Sequence, residues 1–171
     1  MTSNHLTFGL TRRDFLARTL ALGGALAAPS FIPARALGRD GAVAPSERIV
    51  LGGIGLGPRG QYDLSVMLPE KDVQFVAICD AQRSRRERVK QMADAHYGNR
   101  DCVTYCDFRE LVARSDVDAV LIATGDRWHA LASILVMRSG KDVYTEKPSC
   151  LTIAEGQAVV ETAKRYGRVY Q

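Results

Sequence analysis

Aromatic residues are scarce in this chain, 7% of 171 positions with one tryptophan, and its four cysteines are scattered at positions 79, 102, 106 and 150. Cysteines so few and so far apart exclude a disulfide scaffold. Cys102 and Cys106 stand four apart without a second ligand pair nearby, which argues against a zinc site, so no metal is expected. Cys79 and Cys150 read as small core or near-core residues. No uncharged run reaches the roughly 18 residues of a spanning helix. Residues 19–34 come nearest with sixteen, and Gly and Pro interrupt them. Internal repeats and low-complexity tracts are absent. No Gly-Lys-Ser/Thr follows a glycine cluster, which excludes a Walker-type nucleotide loop.

An excess of charge is also missing once the N-terminus is set aside. Of 23 basic and 19 acidic residues, four and one fall within residues 1–36, leaving 19 against 18 and a net charge near +1. The basic cluster "QRSRRERVK" is interrupted by Glu87 and has no aromatic residues interleaved, so nucleic-acid binding is not expected. Residues 1–36 read as an export peptide: Arg12 and Arg13 stand before an Ala-, Leu- and Gly-rich stretch that ends in small residues. Thr11-Arg12-Arg13-Asp14-Phe15-Leu16 resembles the twin-arginine export motif, and Ala34-Arg35-Ala36 resembles a small-x-small cleavage site. The resemblance implies passage through the twin-arginine machinery to the periplasm or another extracytoplasmic space, without membrane integration. Residues 37–47, "LGRDGAVAPSE", carry Gly, Pro and Ser without periodicity and read as a flexible lead-in.

From residue 48 to 171 short apolar runs alternate with longer helical patterns. Strands are expected at 48–54, 74–79, 103–106, 119–124, 142–144 and 168–170, and helices at 59–68, 83–97, 107–115, 127–139 and 152–166. The runs are continuous, not alternating, as strands covered on both faces require. Asp107 with Glu110 and Thr152 with Glu155 have capping-box spacing, and Gly140 and Gly167 stand where left-handed caps would end helices. The fold expected is α/β: a mostly parallel sheet in a three-layer α/β/α sandwich of the Rossmann type.

The chemistry gathers at predicted strand ends. "GIGLGPRG" places Gly55, Leu56, Gly57, Arg59 and Gly60 between the first strand and the first helix. In a G-x-G-x-x-G turn the first glycine makes the bend, the second admits a pyrophosphate to the backbone, and the third lets helix pack on strand. The helix start offers that pyrophosphate free N–H groups and a positive dipole end. Asp80 follows the second strand, 25 positions after Gly55. Its carboxylate can accept both hydroxyls of an adenosine ribose and would repel a 2′-phosphate, so NAD is favoured over NADP. Asp80 could also serve as a helix N-cap. One of Arg83, Arg85 and Arg86 could lie over the adenine or pair with a phosphate, and Arg83 is taken as the candidate. Thr124 ends the fourth strand with Trp128 and His129 beyond it, and beyond the fifth stand Glu146, Lys147 and Pro148. A lysine near nicotinamide can donate to a substrate hydroxyl or carbonyl oxygen and move a proton, and the proline restricts its loop.

In this order, "GIGLGPRG", "ICDAQRSRRE", "DFRELVARSDVDAVLIAT", "DRWHALASI", "GKDVYTEKP" and "TIAEGQAVVETAKRYGRVYQ" resemble the Gfo/Idh/MocA family across residues 48–171, with Glu146-Lys147-Pro148 the most specific element. The resemblance implies an N-terminal NAD- or NADP-binding Rossmann domain and a C-terminal α/β domain that shapes the substrate pocket and often mediates oligomerisation. It implies that Lys147 is the motif lysine beside nicotinamide and substrate and acts in catalysis, that Asp80 is the ribose ligand, and that Trp128 and His129 form part of the nicotinamide-side wall. Gly125-Asp126 departs from the commoner Thr-Pro-Asx after the fourth strand. With no substrate domain in 171 residues, the chain reads as a fragment of a longer frame or a truncated product. For the parent protein the expectation is hydride transfer to or from a sugar or cyclitol. The alternatives left open are a glycoside hydrolase that retains NAD and a non-catalytic dinucleotide-binding fragment.

Overall fold

The computed structural model describes residues 34–39 and 43–171. The twin-arginine segment lies outside the described residues. Five parallel strands, β1 (Ile49–Ile54), β2 (Val73–Cys79), β3 (Val103–Tyr105), β4 (Ala119–Ile122) and β5 (Asp142–Thr145), lie in the order β3-β2-β1-β4-β5. They alternate with α1 (Pro58–Met67), α2 (Arg83–Tyr97), α3 (Phe108–Val112), α4 (His129–Arg138) and α5 (Ile153–Tyr166). The chain thus has the expected doubly wound Rossmann architecture.

The continuous apolar runs are explained by two separate cores. Leu51, Phe75, Ile78 and Leu121 pack under α1 and α2 with Leu56, Leu64 and Val89. Ile54, Ala77, Val120, Ile122 and Val143 face the other way, onto Leu111, Val136, Met137 and Val159 of α3, α4 and α5. The pairing of β1 with β2 slips between Leu51 and Gly52, which pair with Phe75 and Ala77 and leave Val76 over. That bulge puts Phe75 and Ile78 on one face despite their odd spacing. Val50 and Asp118 bracket the two central strands: Val50 N–H donates to Asp118 Oδ2 at 2.8 Å across 68 residues, and Asp118 N–H donates to Val50 O at 2.8 Å.

Most element ends fall within a residue or two of the expected ones. Three differences have physical causes. The capping box at Thr152 and Glu155 forms in full, whereas the one expected at Asp107 and Glu110 does not. Asp107 accepts the Arg109 N–H at 2.9 Å and is held by the Arg109 guanidinium, and α3 is only five residues long. The expected sixth strand is reduced to one parallel bridge, Tyr170 to Val143, with Gln171 N–H donating to Val143 O at 3.0 Å. The expected helix at 127–139 starts as a short 3-10 turn, Asp126–Trp128, before α4. Gly140 and Gly167 adopt φ of +84° and +60°, in keeping with their reading as caps. No described helix is long and apolar enough to cross a membrane.

Candidate functional site

Where β1 and β4 part, the carboxyl ends of the strands open a cleft of about 300 Å³. Gly55 forms its floor with φ +70°, so close to the next strand's loop that a Cβ would sit 2.8 Å from the Thr124 Cα. A Cβ on Gly60 would meet Ala123 Cβ at 2.7 Å, so this glycine lets α1 lie directly on the sheet. Gly57 is different. A Cβ there would have only the end of the Arg85 side chain nearby, at 3.6 Å, so no backbone or core atom crowds this position. Gly57 precedes α1, whose start has no side-chain cap among the described residues, so the N–H groups of its first turn are available to an anion. Leu56, expected at the cofactor, buries its side chain completely in the core beneath the turn. Only its backbone can contribute.

Asp80 carries the strongest chemical signal in the cleft. It is 6% exposed. Its Oδ1 accepts the Gln82 N–H at 2.8 Å, a local turn that leads into α2. Its Oδ2 is buried and reached by no hydrogen-bond donor among the described residues; Arg85 Nη1 is 3.9 Å away. A buried carboxylate oxygen left without a donor costs about 1–3 kcal/mol or more, and a ribose hydroxyl is the kind of donor that would satisfy it. Gln82, not Asp80, is the N-cap of α2. The residues present therefore fit a dinucleotide: an open glycine turn on a helix N-terminus, and an acid with one oxygen spare.

The arginine at this end is Arg85. Arg83 stands at the first position of α2, pairs with Glu87 at 2.6 Å on the surface, and does not line the cleft. Arg86 is used to brace the turn, donating to Asp80 O. The opposite wall comes from Thr124, Gly125 and Trp128, the last 48% exposed. Cys106 and Phe108, just past β3, complete the lining. Neither stood out in the sequence, yet both follow a strand whose end must face the same edge.

The second half of the site is the loop after β5. Lys147 is exposed, and Glu146 ties its loop to α1, because Arg59 Nε donates to Glu146 Oε1 at 2.8 Å while Arg59 Nη2 lies 2.9 Å from Asp63 Oδ1. Arg59, expected at the cofactor, thus has its guanidinium engaged by two carboxylates of its own chain. The Arg59 hydrogen bond holds the Glu146 carboxyl below its ordinary range. His129 is 1% exposed, so its ring lies behind the wall and not on it. Its nitrogens lie 2.6 Å from Glu146 O and 3.0 Å from Thr124 O. Pro148 follows in the same loop, and neither it nor Lys147 lines the 300 Å³ cleft. Among the described residues, no group of three or more His, Cys, Asp or Glu could hold a metal ion.

Parallel sheet, glycine turn, orphaned acid and lysine loop define a dinucleotide-binding Rossmann domain. Residues 48–171 match the profile of the Gfo/Idh/MocA oxidoreductase family, NAD-binding Rossmann fold, and the chain belongs to it. It is 36% identical over 133 residues to a glycosyl hydrolase family 109 protein of Shewanella baltica, and 34% identical over 133 residues to an alpha-N-acetylgalactosaminidase of Shewanella oneidensis. Each match covers 73% of this chain and 28% of the relative, so the chain spans about a quarter of their length. Among solved structures, an NAD-binding protein from Listeria innocua is similar, with TM-score 0.61 and 28% identity, covering 72% of this chain and 34% of that one.

Proposed function

We propose that this chain binds NAD and forms the cofactor half of an enzyme that moves a hydride between nicotinamide and a secondary alcohol or carbonyl carbon of a sugar or cyclitol. The observation that carries this reading is the buried Oδ2 of Asp80 in the cleft lining, which no hydrogen-bond donor among the described residues reaches. It supports a ribose with a free 2′-hydroxyl over one bearing a phosphate. Bound NAD would supply the two-electron chemistry. The first turn of α1 and Gly57 would receive the pyrophosphate, Arg85 would neutralise it, and Trp128 would shield the cleft. Lys147 would hold the substrate oxygen and move its proton. Calorimetric titration of the chain with NAD and with NADP tests the cofactor assignment. Saturable binding that favours NAD is expected, and Asp80→Asn is expected to cut NAD affinity by about tenfold or more while leaving NADP little changed. No saturable binding of either dinucleotide would refute it. In a longer parent protein, Lys147→Met is expected to lower turnover far more than NAD affinity.

A second reading is favoured by the names of the curated relatives, a glycosyl hydrolase family 109 protein and an alpha-N-acetylgalactosaminidase. In that reading a sugar hydroxyl is oxidised transiently, the glycosidic leaving group is eliminated with a proton, water adds at the carbon it left, and the hydride returns to the carbonyl, so no dinucleotide is consumed. Glycoside given to the parent protein without added NAD separates the two: steady release of sugar marks hydrolysis, and a single turnover marks oxidation. Residues 1–36, in this proposal, direct the folded, cofactor-loaded protein out of the cytoplasm.

A further inference from the structure

Asp63 is a polar residue in an unexpected place. It lies one helical turn after Arg59 on α1 and is 6% exposed, in a helix whose other deeply buried side chain is Leu64. Its Oδ1 meets Arg59 Nη2 at 2.9 Å, but its Oδ2 is buried and no donor among the described residues reaches it. The same Arg59 guanidinium also holds Glu146, Nε to Oε1 at 2.8 Å, so the Asp63 and Glu146 carboxyls are gathered on one cation. Two carboxylates have only acceptors to offer each other, so a hydrogen bond joins them only if one of them carries a proton. Burial, reinforced by the Glu146 charge, pushes the Asp63 carboxyl above its ordinary range against the pull of Arg59. Glu146 is held down by Arg59. Of the two carboxyls, Asp63 is the one whose surroundings favour the protonated form.

Glu146 also connects this pair to Lys147. Its Oε2 accepts the backbone N–H of Lys147 at 3.2 Å, while its own carbonyl is held by the buried ring of His129.

We propose that Asp63 is a positioning residue for Lys147: its carboxyl shares one proton with Glu146 and, together with Arg59, keeps the Glu146 carboxylate where it accepts the Lys147 amide. The inference rests on the proposed role of Lys147. The charged groups that face Asp63 are Arg59 from its own helix and Glu146 from the loop after β5, and His129 meets Glu146 at the backbone carbonyl and not at the carboxyl. An acid whose pKa is raised in the folded state favours the fold while protonated. The clamp is therefore complete at lower pH and loosens as pH rises through the raised value, when two negative charges compete for one guanidinium.

Amide hydrogen exchange at Lys147, followed by NMR across pH in the 171-residue chain and expressed as a protection factor, tests this. In the unsubstituted chain protection is expected to fall as pH rises beyond the ordinary aspartate range. Asp63→Asn supplies a donor that does not titrate, so protection is expected to persist and its pH dependence to flatten. Asp63→Ala is expected to lose about tenfold at every pH below that transition. Indistinguishable profiles in all three would overturn the proposal. If Asp63→Ala fails to fold, Asp63→Asn still decides: a profile that falls with pH as in the unsubstituted chain overturns it. An NAD titration of the same unsubstituted sample judges the functional reading separately, since a chain that binds no dinucleotide can still show or lack the exchange pattern.

Discussion

The His129 ring joins two loops of the site: Nδ1 lies 2.6 Å from the Glu146 carbonyl oxygen, and Nε2 lies 3.0 Å from that of Thr124. These carbonyls end segments that follow β4 and β5, so one buried side chain sets the spacing between the cleft wall and the lysine loop. His129→Phe fills the volume but offers neither carbonyl a partner. We expect it to destabilise the domain by about 1–3 kcal/mol, measured by chemical denaturation, the cost of one buried carbonyl left unsatisfied, because the Glu146 carbonyl keeps the Thr145 hydroxyl at 3.3 Å. A loss below about 1 kcal/mol would show that the ring only occupies space.

The two glycines at the start of the turn are expected to separate stability from binding. Gly55→Ala places a Cβ at φ +70° and 2.8 Å from the Thr124 backbone. It is expected to cost about 2 kcal/mol or more in unfolding free energy. Gly57→Ala meets nothing closer than 3.6 Å and should fold normally. Its methyl group nevertheless occupies the approach to the helix N-terminus, so NAD affinity is expected to fall by about tenfold or more by calorimetry, a loss of about 1.4 kcal/mol. Unchanged affinity would remove the pyrophosphate from this turn.

Thiol labelling is expected to report on the adenosine end of the cleft. Burial pushes the thiols of Cys79 and Cys102 up to about 12, so neither supplies thiolate at neutral pH. Cys106 is exposed and lines the cleft. Iodoacetamide should therefore modify Cys106 well before Cys79 and Cys102, as read by peptide mass mapping, and saturating NAD should slow that modification severalfold. Labelling of Cys106 at the same rate with and without NAD would place the ligand elsewhere.

Export is testable on the first 36 residues. Periplasmic protein beginning near Leu37 is expected in cells expressing the parent protein with Arg12 and Arg13 intact, and cytoplasmic precursor when both are changed to Lys. Equal export of the two would end the twin-arginine reading.

The parallel sheet and its layers were legible because burial on both faces leaves an unmistakable mark, as in "VQFVAIC", and because Thr152, Gly140 and Gly167 punctuate helices by local rules that tertiary contacts did not override. The placing of Gly55 and Asp80 at the cleft was legible for a similar reason: each follows directly on a strand end. What was lost depends on side-chain direction across elements. Choosing Arg85 over Arg83 as the arginine that lines the cleft needs the phase of α2, set by a cap at Gln82 that carries no capping side chain. The Arg59, Asp63 and Glu146 cluster joins residues 87 positions apart at its ends, and nothing in "PRGQYDL" says that its aspartate points inward. His129 was expected on the wall and its ring lies behind it, because a histidine that opens a helix reads the same whether its ring faces a ligand or two carbonyls.

The bracket between Val50 and Asp118 bears on the order in which the site comes into being. Its two hydrogen bonds close a stretch of 68 residues, and until they form β4 has no place beside β1, Thr124 is not packed on Gly55, and the cleft lacks one wall. Such distant pairings are late and slow events on a folding path, because chain entropy is spent before they give any return. A dinucleotide accordingly finds no site on chains in which β4 is still undocked. Its effect falls on the completed domain: NAD is expected to slow unfolding while leaving the refolding rate of the empty chain unchanged.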